Sequence, residues 1–134
     1  MLQRAIYVSD AATGVGSNLQ SLAEILGVSA VNNRRDRLFG ALLHHEGRFL
    51  QVIEGGRVDL DRLIRKLKAD ARHSNLRFLT DGPTPARRYG DEPMRHLPMT
   101  TGGRALLAGR GLDSLDLAEA ESLLTELQRL DAAA

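Results

Sequence analysis

The segment Arg37-Leu38-Phe39-Gly40-Ala41-Leu42-Leu43-His44-His45, the pair Glu46-Gly47 and the segment Arg48-Phe49-Leu50-Gln51-Val52-Ile53-Glu54 decide the fold of this chain. Each segment has the length and apolar content of a strand. The two residues between them, the second a glycine, suit a tight turn, so the whole reads as a hairpin. Successive side chains in a strand point to opposite faces. Phe39, Ala41 and Leu43 therefore share one face and Leu38 and Leu42 the other, while Phe49 and Ile53 alternate with Leu50 and Val52. Both faces are apolar, so both must be covered.

On the N-terminal side, residues 5–9 predict a first strand, and a loop with Gly14 and Gly16 leads into a helix. Ser17 or Asn18 can cap that helix by accepting from an unpaired backbone N–H. Leu19, Leu22, Ala23, Leu26 and Ala30 then fall on one stripe at about 100° per residue. On the C-terminal side, residues 58–69 predict a second amphipathic helix with Leu60, Leu63, Ile64 and Leu67 inward. Residues 75–80 predict a fourth strand, and Pro83, Pro85 and Pro93 mark an irregular connection to a short fifth strand at 94–99. Helices are expected at 105–108 and 117–130. The order β-α-β-β-α-β(-β) is that of a ferredoxin-like α+β sheet with two helices on one face. The tail after residue 100 is what remains to cover the other face, with Leu123, Leu127 and Leu130 in need of burial. The expected organisation is a domain over 1–98 and a helical tail over 99–134.

At 134 residues the chain is long enough for one domain and one core. Eighteen Lys and Arg face 17 Asp and Glu, so charge gives no reason to expect nucleic acid or an anionic membrane as partner. No apolar run approaches the roughly 20 residues of a membrane helix. The absence of cysteine removes disulfides, thiolate metal sites and cysteine nucleophiles, and the N-terminus has no signal-peptide layout; a cytoplasmic setting is expected. Catalytic patterns are missing too. His44 and His45 point to opposite faces, cannot share a metal, and read as solvated strand ends. Gly14-Val15-Gly16 lacks the rest of a dinucleotide fingerprint. A ferredoxin-like acylphosphatase would need an arginine in a phosphate-cradling loop beside the first strand, and Asp10-Ala11-Ala12-Thr13-Gly14 offers none.

Some polar residues do not fit a plain core. Gln51 sits in the apolar run Phe49-Leu50-Gln51-Val52-Ile53, where an amide without partners costs a few kcal/mol, so both its ends need hydrogen bonds. Backbone or water would satisfy it. Tyr7 stands in the first strand, where a core tyrosine with a satisfied hydroxyl is the ordinary case. Asn32 and Asn33 end the first helix, Asn33 near its apolar stripe and Asn32 close to the line of Ile25 and Ser29. That polar edge suits a planar polar ligand held between the helices, or a buried water cluster.

Taken in order, Tyr7-Val8-Ser9, Asn32-Asn33, Leu38-Phe39-Gly40-Ala41-Leu42-Leu43, Gly47-Arg48-Phe49-Leu50-Gln51-Val52-Ile53-Glu54-Gly55, Asp70-Ala71-Arg72-His73, Arg88-Tyr89 and Met94 closely resemble the BLUF domain. The resemblance runs from about Leu2 to Pro98. It implies a ferredoxin-like light sensor, not an enzyme, with non-covalently bound FAD, or FMN or riboflavin in its place. Tyr7 matches the family's photoactive tyrosine, Gln51 the glutamine between it and the flavin, and Met94 the methionine whose position changes with the signalling state. Asn33, with Asn32 and Ser29, matches the edge of the ring, and Ile25 and Leu67 the apolar residues on its two sides. Lys66, Asp70, Arg72 and His73 match contacts to the flavin side chain and phosphate. The implied mechanism is light-driven transfer of an electron and a proton from Tyr7 through Gln51. It leaves Gln51 rearranged or tautomerised, and the signal passes through the last strand and tail to an effector protein or a change of homo-oligomer. Phe39 stands where the family has a small Thr, and Glu92 where many members have Trp. A light-insensitive BLUF-like interaction module is therefore the alternative.

Overall fold

The computed structural model describes residues 2–11, 37–70, 73–89 and 94–133. Five strands form one sheet: β1 (Gln3–Ala11), β2 (Phe39–His45), β3 (Arg48–Gly55), β4 (His73–Pro83) and β5 (Arg95–His96), in the order β4-β1-β3-β2-β5. The two apolar hairpin strands thus occupy the inner half of the sheet. β3 is central, antiparallel to β1 and β2, and β5 runs parallel to β2. The turn between β2 and β3 has Glu46 at φ 50° and Gly47 at φ 77°, the paired left-handed geometry of a type I′ hairpin, which explains the glycine. Gly40 has another reason: a Cβ there would run into the carbonyl oxygen of Val52.

Helix α1 (Arg57–Ala69) follows β3, and its buried Leu60 and Ile64 meet Ala5, Tyr7, Leu38 and Ile53 of the sheet, with Leu63 and Leu67 half-buried beside them. The expected helix before residue 36 lies outside the described residues. The tail forms α2 (Thr101–Leu107), a 3₁₀ turn (Leu112–Ser114) and α3 (Leu117–Ala133). Thr100 caps α2 by accepting from Gly103 N–H at 3.0 Å. Asp116 and Glu119 form a reciprocal capping box at the start of α3. Leu107, Leu112, Leu115, Ala120, Leu123, Leu124 and Leu127 of this tail bury against Ile6, Val8, Ala41, Leu43, Leu50 and Val52. The second face of the sheet is covered as its alternation requires. The Leu130 side chain lies outside the described residues.

The strand limits differ from the pattern-based ones. β4 extends to His73 and Pro83 because its backbone ladders along the whole of β1, from Ala11↔His73 to Gln3↔Pro83, whatever the side chains. Pro83 is tolerated because β4 is an edge strand and the proline ends it. β5 shrinks to two residues bridging Ala41 and Leu42, extended by Leu97 N–H to Leu42 O at 2.9 Å. Pro98 has no N–H with which to continue the ladder. No described helix is long and apolar enough to cross a membrane.

Candidate functional site

The cross-strand pair Tyr7↔Gln51 places two polar side chains in the middle of the sheet on the α1 face. Both are buried, Gln51 at 5% exposure. The Tyr7 hydroxyl donates to Gln51 Oε1, and Gln51 Nε2 donates to Met94 Sδ at 3.5 Å. Met94 is buried just before β5, so the bridge of β5 onto β2 brings it to the glutamine. A primary amide has two N–H donors and an oxygen with two lone pairs. Among the described residues these contacts use one of each, which leaves Gln51 one donor and one acceptor.

Tyr7 is packed on its other side by Phe78, with ring centroids 5.7 Å apart, and edge-on by His73 at 6.0 Å. His73 lies 3.0 Å from Ser9 Oγ through Nδ1 and 2.5 Å from the Leu67 carbonyl through Nε2. A carbonyl only accepts, so Nε2 carries the proton, and Nδ1 of a neutral ring accepts from the Ser9 hydroxyl. His73 therefore ties the end of α1 to β1 and β4. Ser9, buried and two residues from Tyr7 on the same face, had no assigned role in the sequence reading. Its period-2 relation to Tyr7 was the available signal.

The remaining sequence-predicted residues are placed as follows. Leu67 is half-buried at the α1 edge of the apolar cluster, Lys66 is exposed one residue earlier, and Asp70 caps α1, its N–H donating to Leu67 O at 3.2 Å. Ile25, Ser29, Asn32, Asn33 and Arg72 lie outside the described residues, as does Glu92. Phe39 does not crowd Gln51: it pairs with Glu54 on the opposite, tail-side face, with the Arg87 guanidinium 4.0 Å from its ring centre. The histidines expected as solvated ends are instead half-buried. The His44 ring lies 5.1 Å from that of Phe49, and its burial holds its pKa below the usual imidazole value, helped by His45 and His96.

Sequence reasoning gave Glu54 no role beyond its place in the motif. It is fully buried on the tail side and accepts from Arg4 Nε at 2.8 Å, from the backbone N–H of Arg88 at 3.1 Å and from that of Tyr89 at 3.0 Å. An acid closing an apolar strand three residues after Gln51 was the signal.

A family model described as sensors of blue light using FAD matches residues 2–95. The photoactivated adenylate cyclase subunit beta of Euglena gracilis is 39% identical over 94 residues, which are 70% of this chain and 11% of that protein. The chain thus spans about a tenth of the length of this curated relative. Among solved structures, the dark state of BlrB, a BLUF protein, has a TM-score of 0.80 at 28% identity, covering 97% of this chain and 96% of its own. The photo-activated state of BlsA has a TM-score of 0.84 at 23% identity, covering 95% and 94%, a likeness of fold. With its sheet, its buried Tyr7–Gln51 pair and this match over most of its length, the chain belongs to the BLUF family, whose cofactor is FAD.

Proposed function

We propose that the Tyr7–Gln51–Met94 row is the switch of a blue-light photoreceptor that signals through the last strand and the tail. The observation that carries this reading is the buried chain of contacts from the Tyr7 hydroxyl through Gln51 to Met94. The spare donor and acceptor of Gln51 fit the carbonyl and nitrogen edge of a flavin. Asn32, Asn33 and Ser29 would hold the polar edge of the ring, Ile25 and Leu67 its faces, and Lys66, Asp70, Arg72 and His73 the side chain and phosphates. When bound, FAD supplies light absorption and accepts an electron and a proton.

Tyr7 is the donor: it would give an electron to the bound flavin and its hydroxyl proton along the hydrogen bond to Gln51 Oε1, and both return to Tyr7, so that only Gln51 is left changed. Gln51 then rotates or tautomerises, which exchanges the ends that donate and accept. The end now facing Met94 no longer offers the same N–H, so the contact that holds Met94 changes, and β5 with it. β5 is the element to move, since two bridging residues hold it to the sheet. The unit over 1–98 senses, and the tail over 99–134 passes the signal to an effector protein. The placement of Phe39 on the face opposite Gln51 favours this reading over a light-insensitive module.

Tyr7→Phe keeps the ring and its packing while deleting the proton and the easily oxidised phenol. Gln51→Leu keeps the shape and deletes the relay. Both variants should fold, bind FAD and show near-wild-type dark absorbance, yet lose the light-induced red shift of the flavin band. A normal, reversible red shift in Tyr7→Phe overturns the assignment.

A further inference from the structure

We infer that Glu54 is the positioning residue that joins the strand carrying Gln51 to helix α3, with Arg88 as the outer half of the joint; this rests on the switch proposed above. The two residues lie three apart on β3, so Gln51 faces α1 and Glu54 faces the tail. A fully buried carboxylate is stable only when its oxygens are fully engaged. Arg4 takes one oxygen at 2.8 Å, and the backbone N–H groups of Arg88 and Tyr89 converge on the pair at 3.0 to 3.1 Å. Arg4 also donates from Nη2 to the Ala86 carbonyl at 3.1 Å. The start of the connection between β4 and β5 is therefore pinned to the sheet through its main chain, where side-chain substitution in the connection does not reach it.

From this pin the connection departs in two directions. Its far end is Met94, which accepts from Gln51. Its near end carries the Arg88 side chain outward to α3, where it donates to Glu121 Oε2 at 2.9 Å and to Thr125 Oγ1 at 3.4 Å. The Tyr89 ring, buried in the tail-side core with the Arg4 guanidinium 5.2 Å from its centre, wedges the same segment under the tail. The strand that carries Gln51 is thus joined through Glu54 and the Arg88 main chain to the side chains of α3. A rearrangement at Gln51 that shifts β3 moves Glu54 with it and reaches α3 through Arg88.

The test compares hydrogen exchange of α3 in the dark and under blue light, with the flavin red shift recorded on each sample of the full chain loaded with FAD. Wild type should show both the red shift and a light-dependent change in exchange over residues 117–129. Glu54→Gln and Arg88→Ala should keep the red shift and lose the change in α3. Arg88 is exposed, so Arg88→Ala keeps the test informative if Glu54→Gln fails to fold. The exchanged pair Arg88→Glu with Glu121→Arg should restore the α3 response, whereas either substitution alone should not. A full α3 response in Glu54→Gln or Arg88→Ala overturns the joint and leaves the photochemistry intact, as does a wild type that shifts its spectrum without any change in α3. A wild type without a red shift overturns the switch itself, and the joint with it.

Discussion

On the tail side of the sheet, Ile6, Val8, Ala41, Leu43, Leu50 and Val52 lie under seven apolar tail residues, and the fully buried carboxylate of Glu54 is fully engaged. On the α1 side the described core is smaller. Ala5, Leu38, Ile53, Leu60 and Ile64 share their face with Tyr7, Ser9, Gln51 and the ring of His73. A core that admits an amide, a phenol and a hydroxyl gives up apolar burial, at about 25 cal/mol per Å², for groups that must all find partners. The division is physically sensible. The tail face supplies stability by packing, which leaves the α1 face free to carry hydrogen bonds that change. Polar networks belong at sites that must exist in two arrangements, and close-packed apolar layers at sites that must not.

If the tail face is where stability resides, its removal has the largest effect. Truncation after Pro98 exposes six sheet residues that are now buried under the tail and breaks the Arg88–Glu121 and Arg48–Asp113 ion pairs. The expected product aggregates or melts far below the full chain, as size exclusion and thermal melting would report. A soluble 1–98 fragment with an unchanged melting temperature would show that the α1 side holds the sheet by itself.

Single substitutions sharpen the contrast. Leu124 is fully buried in the tail-side cluster, and Leu124→Ala should cost about 2–5 kcal/mol in urea unfolding. Ile64, at 8% exposure on α1, should cost less when cut to Ala, because the site can relax toward solvent. FAD separates the two further. At 100 times its Kd a ligand that binds only the folded state adds about 2.7 kcal/mol. Leu124→Ala should keep that gain, since the substitution is on the far side of the sheet. Ile64→Ala should lose much of it at the same FAD concentration. Equal gains in both variants would mean that the flavin does not use the α1 face.

The same contrast explains what could be read from the sequence. The tail-side core is a matter of alternation and helical periodicity, so Ala41, Leu43, Leu50, Val52, Leu123 and Leu127 were legible as buried before any coordinates. Gln51 stood out for the opposite reason, as a polar residue in an apolar strand. Periodicity alone left its partner open, since the period-2 rule fixes a face and not a register. Resemblance supplied Tyr7 and Met94, and the antiparallel register Tyr7↔Gln51 brings the first of them into contact. The limits of β4 were missed because an edge strand is held by backbone ladder bonds that polar side chains neither form nor prevent. Glu54 was missed because its partners are the main-chain N–H groups of residues more than 30 positions away, which no local pattern encodes.

The smallest effect concerns pH and tests whether the α1 side is also the more easily perturbed one. His44 projects from β2 beside Phe49, half-buried, with Nε2 buried and unpartnered among the described residues. Desolvation lowers its pKa, and the neighbouring charges of His45 and His96 lower it further; partial desolvation of the otherwise exposed ring lowers that of His96 as well. A histidine whose pKa is lower in the folded state binds fewer protons there than in the unfolded chain. Stability is therefore full above the unfolded value near 6.5 and falls as pH drops through that value toward the folded one. The melting temperature should be lower at about pH 5.5 than at about pH 7.5, and modestly so, because His44 is partly solvated and His96 lies at the surface. Glu119 acts in a separate range. Its hydrogen bond from Arg110 holds its carboxyl below the usual carboxylate value, so its contribution is lost only under more acid conditions. His44→Phe keeps an apolar ring against Phe49 and removes the titration, and should flatten the melting curve between the two pH values. A variant that loses as much melting temperature as wild type on acidification would place the pH response elsewhere and leave the α1 side no softer than the tail side.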